Sequence, residues 1–321
     1  MNESSSFRSS AYGGEGWSPR TRDHAEEVGD IWAPCGIDSE WMLLKSVLLH
    51  RPGKELVASA DPRAVQMFAP LDLALAREQH DAMAQAYRTA GVAVHHVEPD
   101  EAPPPNQMFC ADLVFMTREG AILARPASTV RAGEERRIAR RLAELGVPIL
   151  RTLTGTAVFE GADAMWLDPE TVLVGLGLRS NAEAAAQIAQ TLELQEADVL
   201  PVDLPFGTMH LMGLLRIVDR DLAIAWPRRT PHAVVAALRE RGIEVAFLPD
   251  EAGDRQSAAF NFVTLGPRRV LMADTYPEMS EFLERLGVDC TPVRVTELAK
   301  AAGGIGCMSA VLHREPVDAT A

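Results

Sequence analysis

Pairs of short apolar runs separated by a polar turn recur along the chain at a nearly constant interval. These predicted β-hairpins are centred on Arg118, Asp168, Arg220 and Pro267, so successive centres lie 50, 52 and 47 residues apart. Each hairpin precedes a segment in which apolar residues recur at three- and four-residue spacing, as they do on one face of a helix. The predicted helices span residues 131–145, 182–192, 231–241 and 276–286.

A short strand that opens with glycine and a β-branched or similar apolar residue follows most of these helices. Such strands begin at Gly91, Gly146, Gly242 and Gly287. A first unit with a helix over residues 72–89, and a closing strand after Gly306, bring the number of ββαβ copies to about five. Because structural repeats bury their apolar faces by stacking on one another, we predict an α/β fold in which five ββαβ units close into a ring with pseudo-fivefold symmetry.

The chain outside the repeats is short and polar. Residues 1–30 are rich in small and polar residues without periodicity, which predicts a flexible N-terminal arm. We expect a single folded domain over residues 31–316, followed by a tail at residues 317–321. The sequence has neither the roughly 20 consecutive apolar residues of a membrane helix nor the apolar segment of a secretion signal, and this favours a cytoplasmic location.

Composition and charge narrow the classes of partner. Apolar residues make up 47% of the chain, and 45 acidic against 31 basic residues give a net charge of −14. A negatively charged protein repels nucleic-acid phosphates and anionic lipids and attracts small cations, so we expect no nucleic-acid partner and no membrane. The four cysteines lack the spacing of a zinc site, which predicts free thiols and no metal.

Candidate chemistry lies at equivalent positions of the repeats. In a ring of such units the start of each first strand lies near the central axis, and those positions hold Asp112, Glu160, His210 and Cys307. Each residue alone has an ordinary explanation, as a core histidine, a small buried thiol or a turn carboxylate. Burying all four together without a ligand would cost several kcal/mol, so their coincidence predicts a site.

These four side chains suit attack on the carbon of a guanidinium. Two carboxylates can hold its nitrogens, as they do in arginine–carboxylate pairs. The thiolate of Cys307, with its pKa lowered by a bound cation, would be the nucleophile. His210, with a pKa near neutrality, would act first as an acid and then as a base.

Two arginines share one offset from the site carboxylates. Arg131 lies 19 residues after Asp112, and Arg179 lies 19 residues after Glu160. Two surface arginines could show this spacing by chance. If both instead face the pocket, they could bind the carboxylate of an amino-acid substrate whose other end is a guanidinium.

Five segments resemble motifs of one enzyme superfamily. They are PNQMFCAD, FEGAD, GLRSN, MHL and GGIGCMS, at residues 105–112, 159–163, 177–181, 209–211 and 303–309. From about Leu43 to Pro316 the chain is similar to the guanidino-modifying enzymes with a five-bladed α/β-propeller (pentein) fold. That superfamily includes arginine deiminase, dimethylarginine dimethylaminohydrolase and the amidinotransferases.

The resemblance implies a role for each candidate residue. Cys307 would carry a covalent amidino intermediate and His210 would act as acid and base, while Asp112 and Glu160 hold the guanidinium. Arg131 and Arg179 would bind the substrate carboxylate. No metal and no organic cofactor is implied.

Departures from the superfamily pattern bear on the substrate. Deiminases and amidinotransferases typically carry an aspartate two residues after the histidine, where this chain has Met212, which cannot accept those hydrogen bonds. This favours an N-substituted guanidine. Asn106 stands where dimethylarginine hydrolases usually have an acid, and Ala162 replaces a glycine, so the substrate stays open. Asn106, Phe109 and Met212 complete the predicted substrate-binding residues.

The sequence therefore predicts a cysteine hydrolase that cleaves a C–N bond of an N-substituted arginine or related guanidine, giving citrulline or a urea plus an amine. An amidinotransferase and an arginine deiminase or dihydrolase are alternatives with the same chemistry. A non-catalytic binding protein of the same fold is a further alternative, although it would not need Cys307, His210 and both carboxylates. The expected partner is a small cationic guanidino substrate, and a homodimer stays open.

Overall fold

Five three-stranded sheets make up the computed structural model, which describes residues 8–249 and 256–317. In every sheet the middle strand pairs antiparallel with one neighbour and parallel with the other. A helix connects the two parallel strands, because a parallel pair needs a long crossover. Sheet 1 takes its antiparallel strand from the end of the described chain, and the other four sheets are formed by consecutive strands.

The elements have the following bounds. Sheet 1 consists of β1 (Leu44–Leu49), helix α1 (Leu73–Thr89), β2 (Ala93–His96) and β15 (Ala310–Arg314). Sheet 2 consists of β3 (Val114–Met116), β4 (Ala121–Leu123), α2 (Glu134–Glu144) and β5 (Ile149–Thr152). Sheet 3 consists of β6 (Ala164–Asp168), β7 (Thr171–Leu176), α3 (Ala182–Leu192) and β8 (Asp198–Asp203).

Two further sheets and three short α-helices follow. Sheet 4 consists of β9 (Leu215–Asp219), β10 (Leu222–Ala225), α4 (His232–Glu240) and β11 (Glu244–Phe247). Sheet 5 consists of β12 (Val263–Gly266), β13 (Arg269–Ala273), α5 (Pro277–Arg285) and β14 (Asp289–Val293). The short helices span His24–Glu27, Gln256–Ala259 and Ile305–Met308.

The predicted ββαβ units are present, and all five predicted helices lie within three residues of their expected bounds. Helix α3 begins where the side chain of Asn181 accepts a hydrogen bond from Ala184 N, and α1 begins at Asp72 in the same way. Before four of the five returning strands a glycine adopts a positive φ, for example 84° at Gly91 and 75° at Gly146, and before β8 Glu196 takes this conformation at 55°. Glycine recurs there because it ends the helix in a left-handed conformation that other residues disfavour.

Neighbouring sheets are tied by buried polar contacts as well as by apolar side chains. Trp166 Nε1 of sheet 3 donates to Met116 O of sheet 2 at 3.1 Å, and Trp166 is fully buried. Thr264 Oγ1 of sheet 5 donates to Ile217 O of sheet 4 at 3.2 Å. Arg314 Nη2 of sheet 1 donates to Thr264 O at 2.8 Å, so sheets 5 and 1 are also in contact.

Both ends of the described chain contact loops that connect or precede the strands. His24 Nε2 lies 3.0 Å from Glu119 O, and Glu27 is buried. Val317 N donates to the carboxylate of Asp38. Residues 1–7 of the predicted arm and 318–321 of the predicted tail lie outside the described residues, and the domain bounds stay a prediction.

The cysteine and membrane expectations can be compared with the structure in part. All four cysteines are free thiols, as predicted. Within residues 8–249 and 256–317, no helix combines the length and apolar character needed to cross a membrane. The cytoplasmic location stays a prediction.

Candidate active site

The four candidate residues occupy the same structural position in four units, a helical turn immediately before the first strand of a sheet. Asp112 lies in the turn before β3, and Glu160 and His210 precede the turns that lead into β6 and β9. Cys307 lies in the short helix before β15. All four are buried, and Asp112, His210 and Cys307 line one narrow cavity of about 30 Å³.

Glu160 is the centre of the polar cluster. Its side chain is fully buried, and Glu160 Oε2 lies 2.8 Å from His210 Nε2. The neighbouring Asp163 fixes the turn that carries the histidine, because it accepts hydrogen bonds from Leu211 N at 2.9 Å and from Ser180 Oγ at 2.6 Å. The imidazole and the turn that carries it are therefore held by Glu160 and Asp163, both from the turn before the neighbouring sheet 3.

Arg131 is hydrogen-bonded to Asp112 and Glu160, the two carboxylates that the sequence analysis assigned to a substrate guanidinium. Arg131 Nη1 donates to Asp112 Oδ2 at 2.7 Å and lies 3.3 Å from Glu160 Oε2. Arg131 Nε donates to Glu134 Oε2 at 2.9 Å, and the whole side chain is buried. Arg179 Nη1 also donates to Glu160, at 3.0 Å from Oε1. Both arginines thus face the site, while their predicted contact with a substrate carboxylate stays a prediction.

Asn261 is a site residue that the sequence analysis missed. Asn261 Nδ2 donates to Cys307 Sγ at 2.9 Å, and Cys307 N donates to Asn261 Oδ1 at 3.0 Å. The signal that could have found it is the repeat itself, because Asn261 precedes β12 as the other residues precede their strands. It lies 51 residues after His210 and 46 before Cys307.

Arg216 is a second missed residue and lies behind the nucleophile. It belongs to β9, is 8% exposed, and donates from Nε to Phe260 O at 2.8 Å. Its guanidinium carbon lies 5.5 Å from the ring centroid of Phe262, so it clamps the two residues that flank Asn261. Its Nη2 has no hydrogen-bond partner among the described residues. A charged residue inside an apolar strand was the available sequence signal.

The electrostatics differ from the expectation of a near-neutral histidine and an acidic thiol. Burial lowers the pKa of His210, but Asp112 and then Glu160 outweigh it and raise that pKa to about 9. Burial and then Asp112 raise the pKa of Cys307, although hydrogen bonds from Gly304 and Asn261 and the charge of Arg216 act in the opposite direction. Without a bound cation the site therefore holds an imidazolium beside a protonated thiol at neutral pH.

The remaining predicted residues surround this centre. Asn106 is buried and donates from Nδ2 to Val65 O at 2.9 Å, while its Oδ1 finds no donor in the described part of the chain. The ring centroid of Phe109 lies 5.9 Å from the guanidinium carbon of Arg131. Met212 lines a second, larger cavity of about 540 Å³, which shares Cys307 and His210 with the narrow one.

A cation could be held by the same carboxylates. Ligand atoms of Asp112, Glu160 and His210 lie within 4.8 Å of one another, which is compatible with a metal ion. In the structure, the Arg131 guanidinium supplies positive charge there instead. The absence of a metal from the mechanism stays a prediction.

Comparison with known proteins decides the family. The family model described as N,N dimethylarginine dimethylhydrolase, eukaryotic, matches residues 70–314. The chain belongs to the dimethylarginine dimethylaminohydrolase family. It is 27% identical to the Pseudomonas aeruginosa dimethylarginine dimethylaminohydrolase over 83% of this chain and 99% of that protein. It is 30% identical to the Mycobacterium tuberculosis member over 76% of this chain and 78% of that protein.

Solved structures agree with this assignment. A cysteine-to-serine variant of the P. aeruginosa enzyme complexed with citrulline superposes with a TM-score of 0.70 at 26% identity, covering 84% of this chain and 99% of that one. A cyanobacterial arginine dihydrolase at 20% identity, with a TM-score of 0.71, and an amidinotransferase at 14% share the fold. The predicted resemblance and the prediction of an enzyme of the hydrolase class are confirmed.

Proposed function

We propose that this family member hydrolyses a C–N bond of an N-substituted arginine or a related guanidine through a covalent amidino intermediate on Cys307. The products are citrulline or a urea and an amine. The observation that carries the proposal is the convergence of Cys307, His210 and the Asp112 carboxylate on one cavity, with Glu160 hydrogen-bonded to the histidine.

Arg131 supports the proposed substrate chemistry. Its planar guanidinium contacts Asp112 and Glu160, so these carboxylates have the spacing and charge to bind a group of that kind. A substrate guanidinium takes this place when Arg131 withdraws. The released Arg131, together with Arg179, then binds the carboxylate at the other end of the substrate, and the free Oδ1 of Asn106 accepts a hydrogen bond from its ammonium group.

The chemical steps follow from the protonation states. The incoming cation lowers the pKa of the Cys307 thiol, which releases its proton to solvent, and the thiolate attacks the guanidinium carbon and forms a C–S bond. The imidazolium of His210 donates its proton to the departing nitrogen, so that a neutral amine leaves. The neutral His210 then takes a proton from water, the hydroxide attacks the amidino carbon, and the C–S bond breaks to return the thiolate.

The alternative reactions differ in the group that leaves the guanidinium carbon or in the molecule that accepts the amidino group. Met212 lies beside the larger cavity and offers no carboxylate to an unsubstituted nitrogen, which favours a substituted guanidine over a deiminase substrate. An amidinotransferase would pass the amidino group to an amine instead of water. A non-catalytic protein of this fold has no use for a buried thiol held by Asn261 beside an imidazolium.

We also propose that the five sheets close into the predicted propeller. Contacts connect sheet 2 to sheet 3, sheet 4 to sheet 5 and sheet 5 back to sheet 1. Leu211 N of the turn before sheet 4 donates to Asp163 before sheet 3. Leu48 and Phe115 of sheets 1 and 2 belong to one apolar cluster. Together these contacts support a closed ring.

The function is tested by product analysis. The protein is incubated with arginine, Nω-methylarginine and Nω,Nω-dimethylarginine, with and without glycine as an amine acceptor, and citrulline, ammonia, methylamines and amidinated glycine are quantified. We expect citrulline and a methylamine, lost in Cys307→Ser and kept in Cys290→Ser, which changes a free thiol that does not line the site. Turnover retained by Cys307→Ser would contradict the proposal. Ammonia as the main product would instead indicate a deiminase or dihydrolase, and amidinated glycine would indicate an amidinotransferase.

A further inference from the structure

The larger cavity adjoins the nucleophile and is much bigger than a methylated guanidine requires. Its volume of about 540 Å³ lies within the range of roughly 300–1,000 Å³ that is typical of small-molecule sites. Cys307, His210 and Met209 form part of its wall and also part of the wall of the narrow cavity. Two methyl groups, each near the roughly 30 Å³ of a water molecule, would fill only a small part of it.

The wall of this cavity is mostly apolar, and its polar groups come from Thr208, His210, Asn261, Thr275, Tyr276 and Arg229. Leu214 is buried in it, and Met212, Trp226, Val295 and the small Ala273 line it as well. The described residues that line it include no aspartate or glutamate. Arg229 stacks on Trp226, with its guanidinium carbon 4.9 Å from the ring centroid. Such a wall favours neutral apolar or aromatic groups and disfavours a second positive charge.

The position of His210 relates this cavity to the reaction. The nitrogen that leaves must lie within reach of the imidazolium, and His210 lines both cavities. The nitrogens that stay bound are held on the side of Asp112, which lines only the narrow cavity. A substituent on the leaving nitrogen therefore points away from the carboxylates and toward Met212.

We propose that the 540 Å³ cavity binds the substituent of the leaving nitrogen, and that this substituent is a bulky, uncharged apolar or aromatic group rather than methyl. This inference rests on the proposed function and specifies its substrate class. The leaving amine is accordingly a larger alkylamine or arylalkylamine. The apolar part of the wall favours each added methylene, with a gain of up to about four-fold in kcat/KM until the space is filled.

The experiment compares four arginines that differ only at the leaving nitrogen, which carries methyl, propyl, benzyl or 2-aminoethyl. Citrulline release gives kcat/KM for each. We expect kcat/KM for the propyl and benzyl compounds to exceed that for the methyl compound by at least ten-fold. The kcat/KM for the 2-aminoethyl compound should fall below that for the propyl compound, because Arg229 repels its positive charge. Turnover of the methyl compound with no gain, or with a loss, for the larger groups would overturn this inference and leave the proposed function standing. No turnover of any of the four would refute both.

Variants test whether the cavity itself is responsible. Ala273→Phe places a ring in the cavity and should lower the benzyl-to-methyl ratio of kcat/KM at least ten-fold. The matched control is Ala82→Phe, on the exposed face of α1, which should keep the wild-type ratio. Ala299→Leu, a smaller change in the same wall, serves if the first variant does not fold. An unchanged ratio in a folded cavity variant would overturn the inference.

Discussion

Glu160 should contribute, after Asp112, to the protonation of His210, and Glu160→Gln removes its charge with little change of shape. In the wild type the pKa of His210 is raised from 6.5 to about 9 despite burial. The difference of roughly 2.5 units, at about 1.4 kcal/mol per unit, corresponds to about 3 kcal/mol in favour of the imidazolium. Asp112 contributes part of this, and Glu160 contributes through its charge and its 2.8 Å hydrogen bond.

We expect the pKa of His210 in Glu160→Gln to fall by about one unit or more, while Asp112 and Asp163 keep part of the upward shift. Burial then acts against fewer carboxylates, and Arg179 loses the partner that neutralises it. The measurement is an NMR titration of the histidine ring, assigned with His210→Gln, and Glu170→Gln is a control that removes an acid outside the site. A His210 that titrates within half a unit of the wild-type value in Glu160→Gln would refute this reasoning.

The same shift predicts a pH dependence of stability. A group whose pKa is raised in the folded state stabilises it fully below the unfolded pKa of about 6.5 and loses that contribution as the pH rises through about 9. The wild type should therefore lose about 3 kcal/mol from this group between pH 6.5 and 9.5. Urea unfolding of Glu160→Gln should show a smaller loss over that window, and equal losses would contradict the assignment.

Two further predictions concern the residues behind the nucleophile. Arg216→Met should raise the pKa of the Cys307 thiol and move the pH profile of its alkylation by chloroacetamidine upward by at least one unit. Arg216→Lys keeps the positive charge and should keep most of the wild-type profile. Identical profiles for the wild type and both variants would contradict a role for this charge. Gly306→Ala should lower the free energy of unfolding by about 1–3 kcal/mol in urea titrations. The reason is that a Cβ at this position would collide with Arg216 Nη2 and lie 2.9 Å from Asn261 Oδ1. A variant as stable as the wild type would show that these groups can move apart freely.

Much of the fold could be predicted because the repeat is recorded in local patterns. The hairpin turns, the helical apolar spacing and the glycines before the returning strands each depend on a few neighbouring residues. Helix α3 accordingly occupies its predicted residues, 182–192. The repeat interval also pointed to Asp112, Glu160, His210 and Cys307, because a position before each first strand is defined by counting along the chain. Asn261 lies at the same repeat interval, but the sequence analysis selected charged and nucleophilic side chains and so missed its neutral amide.

The sequence by itself determined the five units, their elements and the kinds of side chain that they bring to equivalent positions. Only the tertiary structure decided which charges meet, because partners from different sheets are set by side-chain direction and distance, which local patterns do not record. Thus Arg131 forms hydrogen bonds with Asp112, Glu160 and Glu134. Arg216 donates to Phe260 O, next to the Asn261 that holds Cys307. The proton affinities of His210 and Cys307 also follow from burial among these charges, and burial is a property of the folded chain.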